Sequence, residues 1–169
     1  MEIIQAETAQ HLQIIRDLFQ EYFQWVHDGL GIDLGYQHVA AELAALPGYF
    51  APPQGRLVLA LEGAEPAGCV ALRPMSDGAC ELKRMYVRPR FRGQGVGKAL
   101  GQRMIDDARA IGYALIRLDT ADSLTTARGL YTALGFRERS AYYEVPPDVL
   151  RWTIFMEMAL TESPSRMTC

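Results

Sequence analysis

At 169 residues, with 49% hydrophobic and 22% charged residues, the chain can build one packed core, and its composition is neither disordered nor collagen-like. A formal net charge of −3 gives no bulk electrostatic case for a nucleic-acid partner. No apolar run approaches a membrane span, and the start Met-Glu-Ile-Ile lacks a basic, apolar leader. No membrane partner and a cytoplasmic location are therefore expected.

Ile3-Ile4 predicts a short first strand. Leu12, Ile15, Phe19, Tyr22 and Val26 then recur at helical spacing, predicting an amphipathic helix of about four turns that Gly29 and Gly31 end. A shorter helix is expected over Gln37 to Ala45, and Pro47 to Gly55 reads as a loop. Three strand-like segments follow, Arg56–Leu61, Ala67–Arg73 and Cys80–Val87, with Ser76-Asp77-Gly78 as a hairpin signal. Val96, Leu100, Met104, Ala108 and Ile111 form the stripe of another helix, and Gly112 is placed to end it. Leu115 to Leu118 is a short apolar strand followed by Asp119; Ser123 can cap a helix through Leu134, which Gly135 closes. A last strand through Trp152–Met158 precedes a polar tail. Hairpins followed by strand–helix–strand connections imply an α+β domain with a mixed sheet.

Cys69, Cys80 and Cys169 form no Cys-x-x-Cys pair, and His11, His27 and His38 are scattered, so neither a disulfide framework nor a metal site is expected. Cys80 has no histidine neighbour and reads as a buried structural thiol. The Gly-x-Ser-x-Gly elbow of serine hydrolases is missing as well.

Charge is distributed unevenly. Lys83, Arg84, Arg88, Arg90, Arg92, Lys98 and Arg103 fall in one stretch that no acid interrupts, whereas Asp17, Glu21, Asp28, Asp33 and Glu42 dominate the first two helices. A local cationic patch in an acidic chain suggests a compact polyanion such as a phosphorylated cofactor.

Arg92-Gly93-Gln94-Gly95-Val96-Gly97 joins a strand to a helix. Closely spaced glycines there expose main-chain N–H groups at the positive end of the helix dipole, a phosphate site built from backbone alone. A P-loop is excluded, because Arg92 stands at its leading glycine and Ala99 at its magnesium-binding hydroxyl. A dinucleotide fingerprint fits poorly, since Lys98 takes the place of its third glycine, although Asp119 stands near where a ribose-binding acid would. A turn with no ligand is the remaining alternative; each glycine then costs about 1 kcal/mol of backbone entropy for nothing.

This hexapeptide, following the strand Glu81-Leu82-Lys83-Arg84-Met85-Tyr86-Val87, resembles the acetyl-CoA-binding signature of the GNAT N-acetyltransferase superfamily. The run Ala127-Arg128-Gly129-Leu130-Tyr131-Thr132-Ala133-Leu134-Gly135-Phe136 is similar to that family's second signature, a helix ending in Tyr-x-x-Leu-Gly-Phe. The two cover roughly Cys80 to Phe136; before Arg56 only the element order fits. The resemblance implies a mixed, mostly antiparallel sheet flanked by helices and splayed between its fourth and fifth strands. It places one domain over 1–160 and a disordered tail over 161–169.

It further implies an acetyl-CoA-dependent N-acetyltransferase in which a primary amine of a small molecule or peptide attacks directly, without metal or covalent enzyme intermediate. Arg92, Gly93, Gln94, Gly95, Val96, Gly97 and Lys98 would hold the pyrophosphate. Met85, Tyr86 and Val87 would pair with the pantetheine arm, as an added strand does, and face the thioester oxygen. Thr120 and Ser123 would touch pantetheine, with helix capping as the alternative for Ser123. Tyr131 is the expected general acid. A phenol near pKa 10 and a thiol near 8.5 differ by about 1.5 units, so proton transfer is uphill by only about 2 kcal/mol. Glu81 is the expected general base, with an ion pair to Lys83 or Arg84 as its alternative role.

Tyr142, Tyr143 and Glu144 would line the acceptor mouth, and the acidic first helices would suit a cationic amine. A catalytically silent CoA-binding or sensory domain is the alternative function; it would not need Tyr131 and Glu81. A homodimer is an expectation by analogy alone.

Overall fold

The computed structural model describes residues 1–34 and 38–161. Its strands are β1 (Glu2–Gln5), β2 (Arg56–Glu62), β3 (Glu65–Pro74), β4 (Ala79–Val87), β5 (Leu115–Ala121), β6 (Arg137–Arg139) and β7 (Thr153–Ala159). Its helices are α1 (Ala9–Leu30), α2 (Val39–Ala45), α3 (Val96–Ile111), α4 (Thr125–Leu134) and α5 (Pro147–Leu150). Among the described residues the strands form one seven-stranded sheet in the order β1-β2-β3-β4-β5-β7-β6. Every pairing is antiparallel except β4 with β5. This is the mixed, mostly antiparallel α+β architecture that the sequence implies.

Strand periodicity decides which helix covers which face. Leu57 and Leu59 of β2 point to one side, where they pack with Ile15, Leu18 and Phe19 of α1 and with Phe50. Val58 and Ala60 point to the other side and meet Leu100, Met104 and Ala108 of α3. The sheet is thus a shared wall between two cores.

Several elements depart from the sequence reading. α1 runs for 22 residues rather than four turns, from a Thr8 cap that accepts the His11 amide at 3.1 Å. Gly29 lies inside its last turn. Gly31, at φ 66, is the residue that stops it, because termination needs the left-handed conformation and not merely a glycine. The start of α2 expected at Gln37 lies outside the described residues, as does all but the first residue of the tail expected over 161–169. The segment read as a loop from Pro47 contains a 3-10 turn, Gly48–Phe50, that sets Phe50 edge-on against Phe19 at 6.2 Å.

β5 does not stop at Leu118. Pairing with β7 carries it through Asp119, Thr120 and Ala121, opposite Phe155, Ile154 and Thr153. Ser123 caps no helix; α4 begins at Thr125 with Leu124 as its cap residue and no side-chain cap bond. β6 and α5 carried no sequence signal. β6 is Arg137-Glu138-Arg139, without an apolar face, and forms only through pairing with β7. α5 is too short to show a period.

β4 is irregular on both of its edges. Its ladder with β5 holds only Ala79, Cys80 and Glu81, opposite Leu115, Ile116 and Arg117; beyond these the strands part. On its other edge Cys69 pairs with Tyr86 and Ala71 with Lys83, so Arg84 and Met85 together oppose Val70. That bulge holds Arg84 at φ 56, a conformation uncommon for any residue but glycine.

Gly68 packs beneath this bulge, where an added Cβ would collide with the Tyr86 carbonyl. Gly68→Ala is expected to lower stability by about 1–3 kcal/mol. Gly129→Ala, in α4 with nothing within 4 Å of the added carbon, should leave stability unchanged or raise it by up to about 1 kcal/mol. Urea unfolding of both variants checks the pair.

Candidate functional site

A cavity of about 580 Å³ opens in the gap between β4 and β5. Met85, Tyr86 and Val87 of β4 form one wall, and Asp119, Thr120 and Ser123 lie on the other. Arg92, Gly93, Gly95, Val96, Gly97 and Lys98 also line it, as does Tyr131 from α4. Trp25, Val26 and Leu30 from the end of α1, with Ile32 and Leu34 beyond it, add an apolar side. Most residues that the sequence singled out therefore meet in one place. Gln94 and Glu81 are not among the lining residues.

The glycines of the turn do different things. Gly93 and Gly95 take φ 74 and φ 84, and the space their Cβ atoms would fill is open. Gly97 lies inside the first turn of α3, where a Cβ would press on Leu130 of α4 at 3.3 Å. Gly101, one turn on, leaves room for Leu134. Gly93 and Gly95 shape the turn, whereas Gly97 and Gly101 let α3 and α4 approach. The first intrahelical bond runs from the Ala99 amide to the Gly95 carbonyl at 3.0 Å. The preceding amides of Val96, Gly97 and Lys98 thus have no partner within the helix, and they carry the positive end of its dipole.

Arg92 turns back on its own chain. Its Nε donates to the Val87 carbonyl at 2.9 Å, and its guanidinium lies over Trp25 at 5.1 Å and Tyr86 at 5.9 Å. The side chain therefore fastens the turn to the end of β4. Gln94 likewise donates to the Arg90 carbonyl. The Tyr131 hydroxyl donates to the Met85 sulfur at 3.8 Å. Burial pushes this phenol well above the ordinary tyrosine range, and Tyr22 and the Asp119 carboxylate add to the rise.

The sequence profile of the Acetyltransferase (GNAT) family matches residues 12–136. An uncharacterised N-acetyltransferase of Schizosaccharomyces pombe is 37% identical over 153 residues, covering 89% of this chain and 91% of that protein. This chain belongs to the GNAT acetyltransferase family. Among solved structures, an acetyltransferase from Streptococcus agalactiae superposes with a TM-score of 0.74 at 26% identity, over 94% of this chain and 97% of that one. A Salmonella typhimurium acetyltransferase solved with its cofactor acetyl-CoA shares the fold, with a TM-score of 0.68 at 22% identity over 99% and 98% of the two chains.

The cationic stretch of this acetyltransferase is mostly neutralised. Arg84 is bidentate to Glu42 at 2.8 and 3.1 Å, Arg88 meets Glu21 at 2.6 Å, Arg90 meets Glu65 at 3.1 Å and Arg103 meets Asp107 at 2.9 Å. Only Arg92 and Lys98 of the seven face no acidic partner among the described residues. The same pairs occupy Glu21 and Glu42 of the acidic first helices. A charge run read along the chain omits the partners that other elements bring.

Glu81 is fully buried. Arg73 donates to its Oε2 at 2.6 Å and the Tyr142 hydroxyl to its Oε1 at 2.9 Å, while the Lys83 ammonium stands 3.6 Å away. Its contact with the cavity runs through Lys83, which bonds Asp119 at 3.1 Å. Tyr142 is thus a partner of Glu81 and not part of the cavity lining. Burial also pushes the Cys80 thiol up to about 12, as befits a structural cysteine.

Asp119 is the carboxylate that the sequence reading underrated. Burial pushes its carboxyl up, but the charge and hydrogen bond of Lys83, with Tyr143 and Arg84, bring it net below the usual carboxylate range. No local pattern marks it: its place follows from the end of the β4–β5 ladder at Arg117 and from pairing of β5 with β7. Among the described residues no group of three or more His, Cys, Asp or Glu is placed to hold a metal ion, and no helix is long and apolar enough to cross a membrane.

Tyr142→Phe removes a neutral donor from the buried Glu81 carboxylate. It is expected to cost about 1.5–3 kcal/mol of stability, read by chemical unfolding beside Tyr143→Phe.

Proposed function

We propose that the protein transfers an acetyl group from acetyl-CoA to a primary amine of a small molecule or peptide by direct attack. What carries this reading is the meeting of three features in one cavity: the glycine turn at the opening of α3, the unpaired edge of β4, and the Tyr131 hydroxyl. Acetyl-CoA supplies the acetyl group already activated as a thioester. The residues present suit such a ligand. Gly93 and Gly95 leave open the space that side chains would fill, beside the free amides of α3 and the unpaired Lys98. A diphosphate is held at such a place by backbone N–H groups and the helix dipole.

The β4 edge beyond Glu81 has no partner from β5 and would receive the amide-rich arm as an extra strand. Its amides would also face the thioester oxygen, where each donor is worth about 3 kcal/mol. Thr120 and Ser123 border the same arm from the β5 side. Tyr131 holds the proton for the departing sulfur. Its hydroxyl rests on the Met85 thioether, a weak acceptor that it can leave for a stronger one. Burial raises the phenol, but it also raises the thiol formed in the same apolar place, so the difference between them governs the transfer. Glu81 has a positioning role, fixing Lys83 at the apex of the gap.

Tyr131→Phe is expected to lower kcat for thiol release from acetyl-CoA about a hundredfold, with coenzyme A affinity preserved. Equal turnover by both proteins would remove Tyr131 from the mechanism. Gly95→Val should weaken coenzyme A binding about tenfold or more, measured by titration calorimetry, while the variant remains folded.

A further inference from the structure

The cavity lining has an uneven charge. Asp119 is the one acidic residue among the described residues that line it, against Lys83, Arg84, Arg92 and Lys98. Arg92 and Lys98 belong to the glycine turn, and Arg84 is matched by Glu42. Lys83 is shared, with Asp119 at 3.1 Å and Glu81 at 3.6 Å. Glu81 also has Arg73 at 2.6 Å, so Lys83 is the nearer partner of Asp119, and of the two carboxylates only Asp119 reaches the cavity, with 14% of its side chain exposed.

Its position follows from the sheet. Glu81 and Arg117 form the last pair of the β4–β5 ladder. Two residues further along each strand, on the same faces, stand Lys83 and Asp119, whose ion pair spans the gap where backbone pairing has ceased. Continued pairing with β7 holds Asp119 rigidly, opposite Phe155. Tyr131 from α4 lines the same cavity as Asp119. The groups acting on Asp119 are Lys83 and Arg84 from β4 and Tyr143 from the β6–β7 connection. Elsewhere the lining includes the apolar side chains of Val26, Leu30, Ile32, Leu34 and Val149.

We infer that Asp119 is the catalytic carboxylate that seats the acceptor amine and takes its proton, that Lys83 is its positioning residue, and that the acceptor is a primary monoamine with an apolar body. This rests on the proposed acetyl transfer. The acceptor ammonium first gives one proton to solvent, and the neutral amine nitrogen then bonds to the acetyl carbon as the carbon–sulfur bond breaks. Tyr131 gives its proton to the sulfur, and the proton lost by nitrogen goes to Asp119. Asp119 then returns a proton to Tyr131 through solvent, so the protein ends as it began. Asp119 is a weak base for a free ammonium, yet adequate here, because nitrogen becomes far more acidic once bonded to the acetyl carbon. A second ammonium on the acceptor would find no second carboxylate among the lining residues.

The test uses the full chain loaded with coenzyme A, and n-butylamine as the probe. In amide NMR titrations butylamine should shift resonances around Asp119 and Thr120 saturably and bind more tightly than putrescine, the same carbon chain with a second amine. Asp119→Asn should weaken butylamine binding about tenfold or more and leave coenzyme A affinity unchanged. In turnover with acetyl-CoA the loss should be greater at neutral than at alkaline pH, and formate should partly restore Asp119→Ala, responses a merely structural role would not give. Butylamine binding that is absent, indifferent to Asp119→Asn or weaker than putrescine's overturns the inference. If the wild-type protein binds coenzyme A meanwhile, the acetyltransferase reading survives; failure to bind coenzyme A overturns both.

Discussion

The separation of β4 from β5 after three paired residues is the constraint on which the rest of the molecule depends. A strand edge buried without a partner leaves backbone donors and acceptors unsatisfied, which folded proteins rarely tolerate. Here the edge faces a cavity rather than packed side chains. α3, which carries the chain from β4 to β5, begins at that cavity with its own amides unpaired. Two sets of main-chain donors, from a strand and from a helix opening, thus converge because one connection crosses one gap. The bulge at Arg84 and the glycine at position 68 adjust β4 at the same point.

Side chains take over where the ladder ends. Lys83 and Asp119 bridge the parted strands, Glu81 meets Lys83 from behind, and Arg73 and Tyr142 hold Glu81 in turn. Buried ion pairs of this kind contribute little net stability against an apolar core, since desolvation offsets much of the attraction. What they give is definite geometry at the point where the two strands part. The same reasoning covers Arg84 with Glu42 and Arg88 with Glu21, which tie α2 and α1 to β4 and so hold the apolar wall in place.

Much of this was legible in the sequence. The helical stripe from Val96 to Ile111, the three central strands and the glycine turn were each specified locally, by periodicity and by residues with particular backbone freedom. The convergence of Tyr131 with the β4 edge followed from two signatures read together. What escaped was set by partners distant in the chain. β6 has no pattern of its own and exists because β7 pairs with it. Asp119 reads as a residue after a strand until β7 extends that strand past it. Glu81 looks like an accessible strand acid until Arg73, Lys83 and Tyr142 surround it. The cationic stretch looks like a phosphate patch until Glu21, Glu42, Glu65 and Asp107 arrive from other elements. Local rules do not contain such information, because the spacing that matters is spatial.

Main-chain amides, more than charged side chains, are proposed to hold coenzyme A. Amide hydrogen exchange measured with and without coenzyme A tests this most directly. Slowed exchange is expected at Gly93 to Lys98 and at Met85 to Val87, with little change along β1, β2 or β6. Unchanged exchange at both segments in the presence of bound coenzyme A would contradict it.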